Sequence, residues 1–324
     1  MSISVIVPVY NVSTYIRKCV ISLFEQTLAN IEFIFVDDCS PDNSINIVNE
    51  LIVDYHISDT QVKIIRHSKN RGLAAARFTG LEHASGEYII HCDSDDWVDK
   101  DLYEKMLNNA IENNADIVCC DFAIEYRNDT NYLRYGKTYE TKQDLLDLQF
   151  DLLHSSACNK LVRKSLYIQN NIQSFEGINM WEDLGLLSRL RYFSSKTTMI
   201  SDSYYHYNKT NETSIVASAK EDNIFQQIEC AKLLEYFFAD KPRDFQLVVF
   251  YMKFMSKSDY LFHPKLRDLT KWALVYPESH RYIFKYSPLP MNLKIIAFLA
   301  SHGMFKLAIG ILNIKSYISK SKNI

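Results

Sequence analysis

Apolar stretches and amphipathic stretches alternate along the first 120 residues of the chain. Residues 3–9 form a continuous, largely β-branched run, which is typical of a strand buried on both faces of a parallel sheet. Residues 14–27 instead carry apolar side chains at three- and four-residue spacing, which predicts an amphipathic helix. The same pattern predicts further strands at 31–36, 62–65 and 87–92 and further helices at 43–55 and 71–84. This alternation indicates an α/β fold with a mainly parallel sheet and helices on both faces.

Polar residues follow the carboxyl end of each predicted strand. They are Tyr10 and Asn11, Asp37 and Asp38, His67 and Arg71, and the segment Asp93 to Asp96. Because ligands of such sheets bind at the carboxyl ends of the strands, we expect these groups to share one cleft.

The fourth of these groups places Asp93, Asp95 and Asp96 within four positions directly after an apolar run. Burying carboxylates so close together is costly unless a cation neutralises them. Oxygen ligands of this kind suit Mg²⁺ or Mn²⁺, which typically bridge to a substrate's phosphates. The other interpretation is a polar loop whose aspartates cap a helix that begins near Asp99.

The other strand ends also have two interpretations each. Asp37 and Asp38 either accept hydrogen bonds from a ribose hydroxyl or a base N–H, or belong to a segment that only turns and caps a helix. Arg71 and Arg77 either favour a phosphate at a helix start rich in small residues, or only solubilise that helix. Tyr10 either stacks on a base or packs in the core.

Composition narrows the class of protein. The chain has 324 residues, 47% of them hydrophobic and 23% charged, which is typical of a soluble globular protein with room for two domains. A formal net charge of −3 argues against a nucleic acid partner. Seven cysteines without a Cys-x-x-Cys pair indicate reduced core thiols in a cytosolic protein. Neither a signal peptide nor a membrane-spanning helix is expected.

Two nucleotide-binding motifs are missing from the sequence. No Gly-x-Gly-x-x-Gly follows the first strand, which argues against a dinucleotide-binding oxidoreductase or a methyltransferase. No Gly-x-x-x-x-Gly-Lys-Ser/Thr occurs, which argues against a nucleoside triphosphatase. We therefore expect a metal and arginine to hold any phosphates.

Five segments, taken in order, resemble the family 2 glycosyltransferases, which have the GT-A fold. They are Val5 to Asn11, Val36 to Ser44, Asn70 to Arg77, Gly86 to Asp96, and Trp181 to Leu184. Any one of these motifs would be weak evidence, but five in the family's order are specific. The resemblance implies transfer of a sugar from a nucleotide diphosphate donor, usually with inversion at the anomeric carbon.

The resemblance also implies roles for individual residues. It suggests that Asp38 and Tyr10 contact the nucleobase, that Asp93 contacts the ribose, and that Asp95, in an Asp-x-Asp motif, holds the metal that bridges both phosphates. The other residues expected to bind the nucleotide sugar are Pro8, Arg71, Arg77 and Ser94. Further candidates for the site are Asp96, Lys160, Trp181, Glu182 and His206.

Glycosyl transfer needs a base for the acceptor hydroxyl and a Lewis acid for the leaving diphosphate. Asp183 is the candidate base, because it begins a predicted helix and matches the family's catalytic aspartate. In the other interpretation Glu182 and Asp183 are only favourable charges at a helix N-terminus. Trp181 belongs either to an acceptor platform or to the core.

Two further segments give weaker evidence for site residues. The stretch around Lys160 resembles a family motif that precedes the acceptor region, so Lys160 either approaches the diphosphate or lies on a solvated turn. Near the end of a Tyr-rich segment the family often has arginine, where this chain has Asn208 and Lys209. The identity of a third phosphate or metal contact therefore stays open, and His206 is either that contact or a structural residue.

Beyond residue 216 the pattern becomes helical. The first helix is expected to bury an apolar stripe made of Phe225, Ile228, Cys230, Leu233, Leu234 and Phe237. Residues 281–324 carry seven Lys or Arg residues and no Asp or Glu, interleaved with apolar residues. Such a basic amphipathic tail either lies on an anionic membrane surface or forms a helical pair that packs on its own domain, with Gly303 at the turn.

These observations predict two domains. Residues 1–215 form a GT-A domain, with a nucleotide-sugar half (1–100) and an acceptor half (101–215), and residues 216–324 form a helical domain. The predicted activity is metal-dependent, inverting hexosyl transfer from a nucleotide diphosphate donor, with UDP expected, to a saccharide or lipid-linked saccharide. We expect it to serve surface polysaccharide or glycolipid synthesis in the cytoplasm, at the inner face of the membrane. The alternative is a catalytically silent, nucleotide-binding scaffold protein with the same fold.

Overall fold

A computed structural model of the protein describes residues 2–134, 155–211, 220–285 and 289–321, with side chains up to residue 313. The chain divides into two compact units, residues 1–214 and 215–324. The predicted boundary between residues 215 and 216 lies outside the described residues and stays a prediction.

The described residues of the first unit form one mixed sheet. Its strands are β1 (Ile3–Val9), β2 (Ile31–Asp37), β3 (Val62–Arg66), β4 (Tyr88–His91), β5 (Trp97–Val98), β6 (Ile117–Glu125), β7 (Thr130–Leu133), β8 (Lys160–Arg163) and β9 (Thr197–Asn208). They run in the order β3-β2-β1-β4-β8-β6-β9-β5, and β7 pairs with β6. The first four strands are parallel, as predicted. Beyond β4 the sheet becomes mixed, because β8 runs antiparallel to both β4 and β6.

Helices cover both faces of this sheet. They are α1 (Ile16–Phe24), α2 (Ser44–Asp54), α3 (Leu73–His83), α4 (Leu102–Asn113), α5 (Lys164–Gln169) and α6 (Glu182–Phe193). Alternate residues of β1 enter two separate apolar clusters, with Val5 and Val7 in one and Ile6 in the other, which explains the unbroken apolar run. Gly80 lets α3 approach β1, since a Cβ there would lie 2.3 Å from Ile6 Cγ2.

The cysteines belong largely to the interior of the protein. All seven are free thiols; six are buried, and Cys39 is half-buried. This agrees with the expectation of reduced core thiols.

The described residues of the second unit are helical and contain no strand. The helices are α7 (Glu221–Phe238), α8 (Arg243–Ser256), α9 (Asp259–Phe262), α10 (Leu269–Leu274), α11 (Met291–Ser301) and α12 (Phe305–Ser321), with a 3₁₀ turn at Pro277–Tyr282. The predicted stripe on α7 is partly wrong, because Phe225 is 55% exposed while its neighbour Ile224 is buried. At the other end of α7, Phe238 is buried and stacks on Phe245 of α8, with ring centroids 6.0 Å apart.

Candidate active site

Hydrogen bonds join the carboxyl ends of β1, β2 and β3. The Asp38 amide donates to Val9 O at 3.0 Å, and the His67 amide donates to Asp37 O at 2.8 Å. The parallel register brings these ends to one edge of the sheet, as the sequence predicted. Tyr10 is 46% exposed at this edge, so the interpretation of Tyr10 as a core residue is wrong. Pro8, by contrast, is buried within β1.

The buried Asp38 carboxylate fixes the loop that leads into α3. Its Oδ1 lies 2.7 Å from His67 Nδ1 and accepts from the Arg71 amide at 2.8 Å. Its Oδ2 accepts from the Gly72 amide at 2.7 Å, and Gly72 has a φ of +88°, which favours glycine. The Arg71 side chain is exposed beside this loop. A contact between Asp38 and a nucleobase stays a prediction.

Asp42 joins two neighbouring turns. Its Oδ1 accepts from the Ser40 and Ser44 hydroxyls at 2.7 and 2.6 Å, and its Oδ2 accepts from the Ser13 amide at 2.8 Å. Burial alone would raise the pKa of Asp42, but these hydrogen bonds lower it well below its usual range. The turn part of the interpretation of this segment is therefore correct, whereas the N-cap residue of α2 is Asn43, which makes no capping hydrogen bond through its side chain.

Arg77 is the centre of the site. Its side chain is only 2% exposed, so the interpretation of Arg77 as a solubilising residue is wrong. One terminal nitrogen donates to Asp93 Oδ1 at 2.8 Å. The other donates to Glu182 Oε1 at 2.9 Å and to Asp183 Oδ1. Arg77 thus joins α3, the end of β4 and the start of α6, while its contact with phosphate stays a prediction.

The two carboxylates at the start of α6 share one environment but differ in access to solvent. Burial raises the pKa of Glu182, and the neighbouring charge of Asp183 raises it further, against the effect of Arg77. Burial also raises the pKa of Asp183, while Arg77 opposes the rise. The Asp183 side chain is 19% exposed and that of Glu182 is 10% exposed. Asp183 is therefore the more open of the two, and Arg77 favours its ionised form.

The end of β9 supports the acidic segment that follows β4. The Tyr205 hydroxyl donates to Asp96 Oδ2 at 2.7 Å, and the Asn208 amide donates to Asp96 Oδ1 at 2.8 Å. Asn211 donates to Asp95 Oδ2 at 2.7 Å. Asp96 is thus buried, and its two hydrogen bonds fix the acidic segment to the end of β9. Ser94, which lies between Asp93 and Asp95 in the sequence, is also buried.

The donor set of this segment fits a divalent cation that takes few protein ligands. In the described parts of the chain no three His, Cys, Asp or Glu side chains form a group that could enclose a metal. Mg²⁺ and Mn²⁺ sites at phosphates, however, commonly use one or two carboxylates. Burial and the charge of Asp93 raise the pKa of Asp95, and a bound cation would oppose that rise.

Lys160 lies inside the protein, so its interpretation as part of a solvated turn is wrong. It is 1% exposed, and its Nζ donates to Ser156 O and to Asn159 Oδ1, both at 2.6 Å. Burial lowers the pKa of Lys160 to about 7. Its approach to a diphosphate stays a prediction.

His206 has a structural setting. Its Nδ1 lies 2.7 Å from Glu125 Oε1 and its Nε2 lies 2.9 Å from Asp99 Oδ1. The ring stacks on Trp97 at a centroid distance of 5.3 Å. With both ring nitrogens engaged by carboxylates, the geometry favours the structural interpretation of His206 over a phosphate or metal contact.

The segment before α6 reaches back to α3. Asn179 Oδ1 accepts from the Ala74 amide at 3.1 Å at the start of α3. Trp181 has a left-handed backbone with φ +71° directly before Glu182. Sequence reasoning missed Asn179, Tyr205 and Asn211, because asparagine and tyrosine in a polar loop carry no signal of a remote partner.

Comparison with known proteins identifies the family of this arrangement. The family model described as "Glycosyl transferase family 2" matches residues 4–170, which is just over half of the chain. The putative glycosyltransferase EpsH of Bacillus subtilis is 36% identical over 215 residues, which cover 64% of this chain and 60% of EpsH. The match thus spans less than two thirds of that relative's length.

Solved structures share the fold at low sequence identity. Staphylococcus aureus TarS 1–349 in complex with UDP-GlcNAc has a TM-score of 0.74 at 21% identity, covering 99% of this chain and 92% of that one. The mannosyltransferase PcManGT of Pyrobaculum calidifontis, in complex with GDP-Man and Mn²⁺, has a TM-score of 0.51 at 15% identity, covering 97% and 84%. At these identities the likeness shows a GT-A-like fold.

Proposed function

The chain belongs to glycosyl transferase family 2, and from that premise we propose that it is a metal-dependent, inverting transferase that moves a sugar from a UDP-linked donor to a hydroxyl acceptor. The observation that carries this proposal is the position of the Arg77 guanidinium. It contacts both Asp93, which lies in the donor motif, and Asp183, which is the candidate base. The TarS neighbour binds UDP-GlcNAc, which supports UDP as the nucleotide.

In the proposed reaction the acceptor oxygen attacks the anomeric carbon from the side opposite the diphosphate. The bond from that carbon to the diphosphate oxygen breaks, and its electron pair leaves with the diphosphate. Asp183 takes the proton of the acceptor hydroxyl, and attack from the opposite side inverts the anomeric centre. Arg77 supports this role by favouring the carboxylate form of Asp183.

The donor is held by the acidic segment. Asp93, which accepts from Arg77, would contact the ribose, and Asp95, which accepts from Asn211, would hold Mn²⁺ or Mg²⁺. A divalent cation held there would supply positive charge against the leaving diphosphate. Tyr10 would stack on the nucleobase at the exposed edge of the sheet, and Asp38, whose carboxylate holds the loop at Arg71 and Gly72, would also contact the nucleobase.

Calorimetric titration with UDP, GDP, CDP and dTDP, each with and without Mn²⁺, tests the donor assignment. We expect UDP to bind most tightly and to depend on Mn²⁺. Asp95→Ala should weaken binding about tenfold or more in the presence of Mn²⁺, while the exposed control Asp240→Ala should not. Equal affinity with and without Mn²⁺ would refute the metal role. Nucleotide binding without turnover of any UDP-sugar would favour the scaffold alternative.

We further propose that the acceptor is a saccharide or lipid-linked saccharide used for surface polysaccharide or glycolipid synthesis at the cytoplasmic side of the membrane. Buried free thiols support a reducing compartment. The basic, apolar composition of residues 281–324 supports a lipid-proximal acceptor. Transfer from the preferred UDP-sugar to soluble and lipid-linked saccharides, compared side by side, tests this assignment.

A further inference from the structure

Helix α11 exposes apolar side chains along one side. Met291, Ile295 and Phe298 are between 38% and 61% exposed, and their spacing of four and three places them on one helical face. On the opposite face Ile296 and Ala300 are fully buried. The side of α11 that packs on its own unit is therefore already occupied, and a second apolar side remains in water.

Helix α12 repeats this arrangement. Met304, directly before this helix, and Leu307 and Ile311 within it follow at a spacing of three and four and are between 37% and 60% exposed. Ala308 is buried and Leu312 is half-buried on the packed side. The interpretation of residues 281–324 as a pair that packs on its own domain thus accounts for only one side of each helix.

We refer to the exposed apolar residues of these two helices, together with a nearby phenylalanine, as the C-terminal apolar face. Phe284 is exposed and lies beside Phe298, with ring centroids 5.6 Å apart. The C-terminal apolar face comprises Phe284, Met291, Ile295, Phe298, Met304, Leu307 and Ile311. Exposed apolar residues grouped in this way are typical of an interaction surface.

The charge of residues 281–324 indicates which kind of partner the C-terminal apolar face would bind. Residues 281–324 contain no acidic residue, and the exposed Arg281, Lys285 and Lys306 are all positive. The sequence prediction of a basic tail also counted Lys315, Lys320 and Lys322, whose side chains lie beyond the part of the chain that the structure describes. A second copy packed face to face would bring like charges together, which is unfavourable. An anionic lipid surface is complementary to both the apolar and the basic character.

We propose that the C-terminal apolar face docks on an anionic lipid bilayer. Its apolar side chains enter the headgroup region, and the basic side chains approach the lipid phosphates. None of the helices in the described residues is long and apolar enough to cross a membrane. Docking rests on this surface alone and does not depend on the proposed transfer reaction.

Vesicle flotation of the full chain tests the proposal. We expect the protein to float with phosphatidylcholine vesicles that contain phosphatidylglycerol, and to be released by high salt. The double variant Leu307→Ser/Ile311→Ser should partition about tenfold more weakly. Leu274→Ser is the matched control, since Leu274 is 74% exposed on α10, outside the C-terminal apolar face, and should leave partitioning unchanged.

Several results would overturn the proposal. These are no flotation with either vesicle, equal flotation with pure phosphatidylcholine, or an equal loss in the Leu274 control. Concentration-dependent self-association that the double variant abolishes, without vesicle binding, would assign the surface to a second copy. UDP binding measured on the same variants separates this outcome from failure of the proposed function, because lipid docking and nucleotide binding use different residues.

Discussion

Arg77 is a buried cation that contacts three carboxylates, those of Asp93, Glu182 and Asp183. Removing one partner of a buried ion pair typically costs about 3–5 kcal/mol, because it leaves an uncompensated charge in the interior. In this cluster the carboxylates can instead take up protons, since burial already raises the pKa of both Glu182 and Asp183. Substitutions at the cluster should therefore change proton affinity as well as stability.

Asp183→Asn should remove most of the transfer activity, by about 100-fold or more, while the affinity for UDP is kept. The amide has nearly the same shape but accepts no proton from the acceptor. Turnover and calorimetric UDP affinity, measured on the same preparation, check this outcome. Glu182→Gln is the matched control and should lose less of its transfer activity than Asp183→Asn. Unchanged transfer in Asp183→Asn would refute the base assignment.

Arg77→Gln should shift the acid limb of the kcat/KM profile to higher pH. Arg77 opposes the rise in the pKa of Asp183 that burial causes, so its loss lets that pKa rise further. Because the base works only when ionised, activity then begins at higher pH. Arg77→Lys keeps the charge and should restore part of the profile. A uniform loss at every pH would indicate a purely structural role.

At the scale of elements, Asp42 joins the turn after β1 to the turn after β2, and it belongs to neither strand. Asp42→Ala should lower the free energy of unfolding by about 1–3 kcal/mol at neutral pH, because several donors lose their acceptor. Urea unfolding compares the variant with the exposed control Asp59→Ala.

The loss of stability caused by Asp42→Ala should become smaller as the pH falls. The folded-state pKa of Asp42 is depressed, so the stabilisation is complete above the unfolded pKa of about 3.9. It is lost as pH falls from there through the folded pKa. The difference between parent and variant should thus shrink at pH 3 relative to pH 7, and a constant difference would contradict the ionised role.

Several of the elements that the sequence predicted have two-sided or periodic burial. β1 and β2 lie between two layers of helices, so their apolar runs are unbroken, and α1 carries one buried face. The two-residue β5 and the antiparallel β8 gave no such signal, because short strands lack a measurable period. The helix expected near Asp99 begins at Leu102.

Sequence motifs named candidate residues of the site but not the contacts among them. Asp38, Arg77 and Asp183 were recognised from motifs, whereas the partners of Asp38 and Arg77 come from remote positions. The residues that neighbour a charged side chain in the sequence do not indicate which remote side chain it contacts in the folded protein. The structure therefore gives Arg77 three carboxylates where sequence suggested a phosphate.

At the scale of the whole molecule, the chain separations within the Arg77 cluster differ greatly. Arg77 and Asp93 are 16 positions apart, whereas Arg77 and Glu182 are 105 apart. Closing the longer loop costs more conformational entropy and needs the intervening strands in place. During synthesis at about 5–20 residues per second, Glu182 emerges on the order of ten seconds after Arg77.

During that interval only Asp93 of the three carboxylates is available to Arg77, and burying the guanidinium without its other two partners is costly. Docking of α3 is then completed only when α6 arrives. In refolding with pulsed hydrogen exchange, amides of β1 and β2 should become protected before those of α6, and transfer activity should return with the later phase. We therefore expect a single buried arginine to couple the proposed transfer activity to complete folding of the first unit.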